Sequence, residues 1–189
     1  MDHNSTSSIA HQIYQLFFQS KYVKYKSCLS GQRCEGTQYI LGPKAGPEAS
    51  ISNLLHEICH FAELEPKRLL QFPTYGWGLY PGKFWQIGTH WGYEPSTDQQ
   101  VQREARVWAM QLSLERHFNL NDSPEQLVRS AIFLPAWCFY KRKIDSGYSD
   151  KKALYYLAKH VGRLAKRHPF EKVVSDYNYR LSFLQTNLL

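Results

Sequence analysis

The sequence predicts a mainly α-helical protein with a small β component, folded as a single compact domain over residues 1–189. Apolar residues recur at helical spacing along most of the chain, and only one short segment has clear strand character. A length of 189 residues with 43% hydrophobic content also fits one core. About residues 1–8 are polar, and we expect them to be flexible.

Six segments have the apolar spacing of a helix. The segment between the first two is interrupted by Gly and Pro, and its best strand candidate is Thr37–Leu41. Ser96 or Thr97 is a candidate N-cap for the third helix, and Ser123 is one for the fourth. Pro135 should kink or split that fourth helix. The predicted helices cover about residues 7–22, 47–62, 98–117, 123 to the basic run at 141–143, 150–167 and the stretch after 169.

In residues 72–97 the apolar residues follow neither the helical nor the strand period, but the segment is rich in aromatic rings and glycines. A segment this long inside a compact domain is usually functional or forms a pair of short strands. Two interpretations therefore stay open, a β-hairpin that covers the core and a loop that lines a substrate site. The candidate substrate contacts in this segment are Tyr75, Trp77, His90, Trp91 and Tyr93.

Charge and cysteine content narrow the class of protein. The chain has 23 Lys and Arg against 16 Asp and Glu, a net charge of +7, which suits an acidic protein partner, nucleic acid, or solubility alone. No apolar run approaches the ~20 residues of a membrane span, and no secretory signal is recognisable. Four cysteines without a Cys-x-x-Cys pair are too few for a disulfide framework. We expect a cytoplasmic protein without a membrane partner.

The second predicted helix contains the pattern His-Glu-x-x-His, as His56, Glu57 and His60. Residues four apart lie on the same face of an α-helix, so both imidazoles can bind one metal ion. Glu57 follows the first histidine and is the candidate catalytic residue. The pattern on an amphipathic helix predicts a metal site and is compatible with a zincin-like arrangement.

Two imidazoles need a third ligand, and Glu104 in the next helix is the best candidate. It lies among small and apolar residues, although a surface Glu that pairs with a nearby Arg is the alternative. His90 is the main competitor. Cys59 lies between the histidines and is more simply explained as a small buried residue.

This ligand set supports two chemistries. With Zn, Glu57 would act as general base on water, and the protein would be a metallopeptidase. With Fe(II) and O₂, two histidines and a carboxylate form the facial triad of a non-haem oxygenase. A third hypothesis is a non-enzymatic adaptor or nucleic-acid-binding domain in which the motif is only structural.

Basic residues cluster on the fifth predicted helix, opposite its leucines. Lys159, Arg163 and Lys166 are candidate docking residues for an acidic macromolecule, and a solvated helix face is the alternative interpretation.

The chain resembles the bacterial elongation factor P hydroxylases over most of its length. The resemblance rests on the Ile13–Phe18 segment, on the motif in Leu55–Phe61, on the basic pair after it at 67–68, on Trp91–Pro95 and on Gln99–Glu104. The chain departs from the family pattern at Phe61, where the family usually has Trp, at residues 50–53 and 96–97, and in the length of 72–90.

The resemblance implies a cytoplasmic enzyme that hydroxylates the β-lysylated lysine of elongation factor P. It implies His56, His60 and Glu104 as metal ligands, with Glu57 as the adjacent acidic residue. Because elongation factor P is acidic, a chain with a charge of +7 suits it or a related acidic protein as substrate, and direct nucleic-acid binding is not expected.

Overall fold

The computed structural model describes residues 3–20, 23–25, 31–35, 38–42, 50–63, 98–130, 147 and 149–187. Its helices are α1 (His3–Phe17), α2 (Ser50–Glu63), α3 (Asp98–His117), α4 (Pro124–Ser130), α5 (Asp150–Ala165) and α6 (Phe170–Asn187). Three short strands, β1 (Val23–Tyr25), β2 (Gly31–Glu35) and β3 (Gln38–Gly42), lie between α1 and α2. The prediction of a mainly helical chain is confirmed.

The chain divides into two compact units, one of residues 1–81 with 171–189 and one of residues 82–170. The single-domain organisation stays a prediction. None of the described helices is both long and apolar enough to span a membrane.

The first unit contains α1, the strands, α2 and nearly all of α6. The strand order is β1-β3-β2, with β1 parallel and β2 antiparallel to β3. Tyr177 of α6 joins the two other helices, because its ring meets Phe17 edge-on and lies 4.9 Å from the ring of Phe61 on α2. Its hydroxyl donates to the Phe17 carbonyl, and burial raises the Tyr177 pKa well above its usual range. This packing anchors the end of α2 that follows the motif.

The second unit is built on α3, which packs against α5 and α4. Gly162 of α5 lies against Pro124 at the start of α4, where an added Cβ would be 3.2 Å from the proline ring. A side chain there would require the proline ring to move by a few tenths of an ångström. Ser123 caps α4, as predicted, by accepting a hydrogen bond from the Gln126 N–H at 3.2 Å. The buried apolar cluster consists of Ala105, Trp108, Ala109, Leu112, Leu127, Val128, Leu157, Ala158, Val161 and Ala165.

The first helix differs from its prediction at both ends. It begins at His3 and ends at Phe17, so it includes most of the segment expected to be flexible. Adding a residue to an existing helix gains one hydrogen bond, so polar turns can extend it although they have no apolar period. The proposed N-caps of α3 at residues 96–97 and the kink at Pro135 lie outside the described residues.

Candidate metal centre

Helix α2 brings its two histidines together on one face. The Nε2 atoms of His56 and His60 are 3.1 Å apart, and the rings meet edge-on with their centroids 4.6 Å apart. This distance allows a hydrogen bond between the rings. It is also short enough for both nitrogens to bind one ion, since metal–nitrogen bonds of histidine are about 2.0–2.1 Å long. The helix therefore holds the pair in a geometry suited to metal binding.

The motif lies in the buried part of α2. His56 is 8% exposed and Glu57 is 7% exposed, while Leu55, Ile58 and Cys59 are fully buried. Transferring an ionisable group from water into such surroundings is costly unless hydrogen bonds, an opposite charge or a metal compensate for the loss. Two ionisable side chains in succession on the buried side of one helix are therefore more typical of a functional site than of a core.

Glu104 lies in the first half of α3, within the second unit. Its side chain is 6% exposed, and the next residue, Ala105, is 1% exposed. Glu104 is therefore buried rather than exposed at the surface, and its role as a ligand stays a prediction. A buried carboxylate is a suitable metal ligand, since the ion supplies the opposite charge that burial demands.

Three of the predicted residues form one cluster of possible ligands. His56, His60 and Glu104 each offer a ligand atom, and these atoms lie within 4.8 Å of one another. Two neutral imidazoles and a carboxylate fit either a catalytic Zn²⁺ or a non-haem Fe(II), both of which keep positions open for substrate. The donor set thus fits the kind of ion that the sequence predicts.

The other candidate residues differ in what the structure says of them. Glu57 and Cys59 are buried on α2 but are not members of the ligand cluster, and the Cys59 thiol forms no disulfide. The predicted substrate contacts, including the alternative ligand His90, lie outside the described residues. Their roles stay predictions. Those residues are Tyr75, Trp77, His90, Trp91 and Tyr93.

The predicted docking residues are exposed. Lys159 and Arg163 lie on the solvent side of α5, and Lys166 follows directly after its last residue. Lys152, a further basic residue of this predicted face, is exposed as well, and two exposed neighbours that were not predicted are Tyr155 and Tyr156. Their spacing along the helix was the signal that could have found them.

Comparisons of the chain with protein-family models, with curated proteins and with solved structures find no match. A functional assignment therefore depends on the ligand cluster and on the chemistry that its residues support.

Proposed function

We propose that this protein is a metal-dependent enzyme whose ion is held by His56, His60 and Glu104. The reaction that we propose is hydroxylation of the β-lysylated lysine of elongation factor P, or of a lysine in a related acidic protein. The observation that carries the proposal is the cluster of two imidazoles and one carboxylate. The motif resemblance supports the choice of reaction and substrate.

Bound Fe(II) would supply the oxidation of a substrate C–H bond by O₂. One oxygen atom enters the C–H bond and the other leaves as water, so two electrons and two protons must come from a separate reductant. The chain contributes the neutral nitrogens of His56 and His60 and the charge of Glu104 as ligands. Glu57, which is buried and follows the first ligand in sequence, would accept a hydrogen bond or a proton during the reaction.

Glu57 also favours a second candidate, a zinc metallopeptidase. In that reaction Glu57 takes the proton from the attacking water and later gives it to the leaving amine. The same three residues would be ligands, so metal identity is the property that separates the two candidates.

The first experiment measures the metal in protein purified without oxygen. We expect stoichiometric iron. Bound zinc together with a peptidase activity that is lost in Glu57→Gln would instead support the metallopeptidase. Glu104→Gln should lower the metal content, whereas Glu125→Gln, which changes an exposed glutamate of α4, should not. Full metal content in Glu104→Gln would remove Glu104 from the ligand set and make His90 the next residue to test.

The second experiment tests the substrate. Elongation factor P from cells that contain this gene should be heavier by one oxygen atom than the same protein from cells that lack it. Equal masses would contradict the proposed substrate while leaving the metal centre intact, and a difference restored by wild-type protein but not by His56→Ala would link the modification to the site.

A further inference from the structure

A line of basic and aromatic side chains follows the solvent side of α5. Lys152, Tyr156, Lys159, Arg163 and Lys166, here called the α5 stripe, are separated by four, three, four and three residues, and all are exposed. At 3.6 residues per turn these positions fall on one side of the helix, and at 1.5 Å per residue the stripe is about 21 Å long.

The stripe is opposite to the side that packs in the second unit. The buried residues of α5 belong to the apolar cluster that it forms with α3 and α4, and they are Leu157, Ala158, Val161 and Ala165. Packing within the second unit therefore does not account for the regular spacing of the exposed side chains.

The charge of this segment is one-sided. Residues 151–167 contain six Lys or Arg and no Asp or Glu. Helix α6, by contrast, carries both signs of charge, with Asp176 between Lys172 and Arg180. Solubility alone does not require charges of one sign at regular spacing along a helix face. A face with this pattern is electrostatically complementary to an acidic partner.

We propose that the α5 stripe docks an acidic helix of a protein partner. Alternating steps of three and four residues form the seam along which two helices pack side by side. Carboxylates at the same spacing on a second helix would meet the four basic side chains of the stripe. The proposal stands on the stripe alone and holds whichever reaction the metal centre performs.

The tyrosines favour a protein over single-stranded nucleic acid. Tyr155 and Tyr156 meet at an interplanar angle of 69°, and the Lys159 ammonium lies over the Tyr155 ring, 6.0 Å from its centroid. Successive bases stack on open ring faces. These two rings cross at a steep angle, and one face lies under an ammonium group. They are therefore better suited to contacts with protein side chains than to base stacking.

The test uses the full-length protein and a synthetic, fluorescently labelled helical peptide of about 20 residues, with Glu at steps of four and three. A peptide of the same composition with its Glu positions scrambled is the first control, and an oligothymidine of similar charge is the second. Fluorescence anisotropy measures binding, and we expect the affinity of the patterned peptide to fall between about 50 mM and about 300 mM salt.

The deciding variants reverse two charges in different places on the same helix segment. Lys159→Glu with Arg163→Glu should weaken binding of the patterned peptide by about tenfold or more. Lys151→Glu with Arg167→Glu makes the same change in net charge beside the stripe and should weaken binding by less than about threefold. If circular dichroism shows that the first pair disturbs folding, Lys159→Gln with Arg163→Gln takes its place.

Equal losses in the two pairs would overturn the proposal, because net charge alone would then explain binding. Equal affinity for the patterned and scrambled peptides would also overturn it. Tighter binding of the oligothymidine than of the patterned peptide would assign the stripe to nucleic acid instead.

Discussion

Helices α2 and α5 are both amphipathic, but ionisable side chains are buried on α2 and exposed on α5. The two are similar in length, with 14 and 16 residues. α2 buries His56 and Glu57 beside its apolar residues, whereas α5 leaves Lys159 and Arg163 exposed. A buried ionisable group is costly without compensation, so its position alone suggests a ligand. An exposed charge costs little, so only a second signal, such as regular spacing, suggests a partner.

The largest effect that we expect contrasts the two sides of α5. Leu157→Ala should lower the free energy of unfolding by about 2–5 kcal/mol, because Leu157 is 2% exposed within the apolar cluster and its loss leaves a cavity. Tyr155→Ala removes a larger side chain that is 53% exposed and should cost about 1 kcal/mol or less. Urea denaturation measures both, and equal losses would contradict the division of α5 into a packing side and a docking side.

The next effect tests whether the buried histidines of α2 bind an ion. Free Fe(II) at about 100 times its dissociation constant should raise the free energy of unfolding of the metal-stripped protein by about 2.7 kcal/mol, because it binds only the folded state. His60→Ala should lose this gain, while His11→Ala, which changes an exposed histidine on α1, should keep it. Unfolding without oxygen, with and without the ion, is the measurement. A gain of the same size in His60→Ala would contradict the ligand role.

Much of the helical structure could be predicted from local spacing. α3 matches its predicted bounds because Ala105, Trp108 and Leu112 recur at the helical period and all are buried. The beginning of α1 could not be predicted in this way. Residues 4–8 are all polar, so no apolar period marks the helical turns that the structure contains there.

The candidate site, too, could be predicted from local spacing only in part. The helical repeat alone places His56 above His60, so four-residue spacing was enough to predict their proximity. Glu104 is 44 positions beyond His60, and no local rule relates the two. Its apolar neighbours indicated burial, which the structure confirms, but only tertiary structure can relate it to the histidines. Tyr155 and Tyr156 were missed because they are exposed, and hydrophobic periodicity indicates only the side chains that pack in a core.

The smallest effect concerns His160, at the edge of the exposed side of α5. Burial first, and then the nearby Arg163 guanidinium, lower the pKa of His160 below its usual value of 6.5. Its Nε2 lies 3.3 Å from Oε1 of Gln102 on α3. As the pH falls below about 6.5, the unfolded chain takes up a proton that the folded chain resists, so stability falls until the pH passes the folded-state pKa. Because His160 is only partly buried, solvent screening keeps this loss small.

NMR titration of the His160 ring measures this effect directly. Arg163→Gln removes a nearby positive charge and should raise the pKa of His160 toward its usual value, while burial keeps it somewhat low. Lys166→Gln removes the same charge from a position that does not contribute to the shift, so it should change the pKa less. A wild-type pKa at or above 6.5 would contradict the burial of this edge of α5 against α3. An equal rise in both variants would show that the whole α5 stripe, rather than Arg163 alone, acts on the ring.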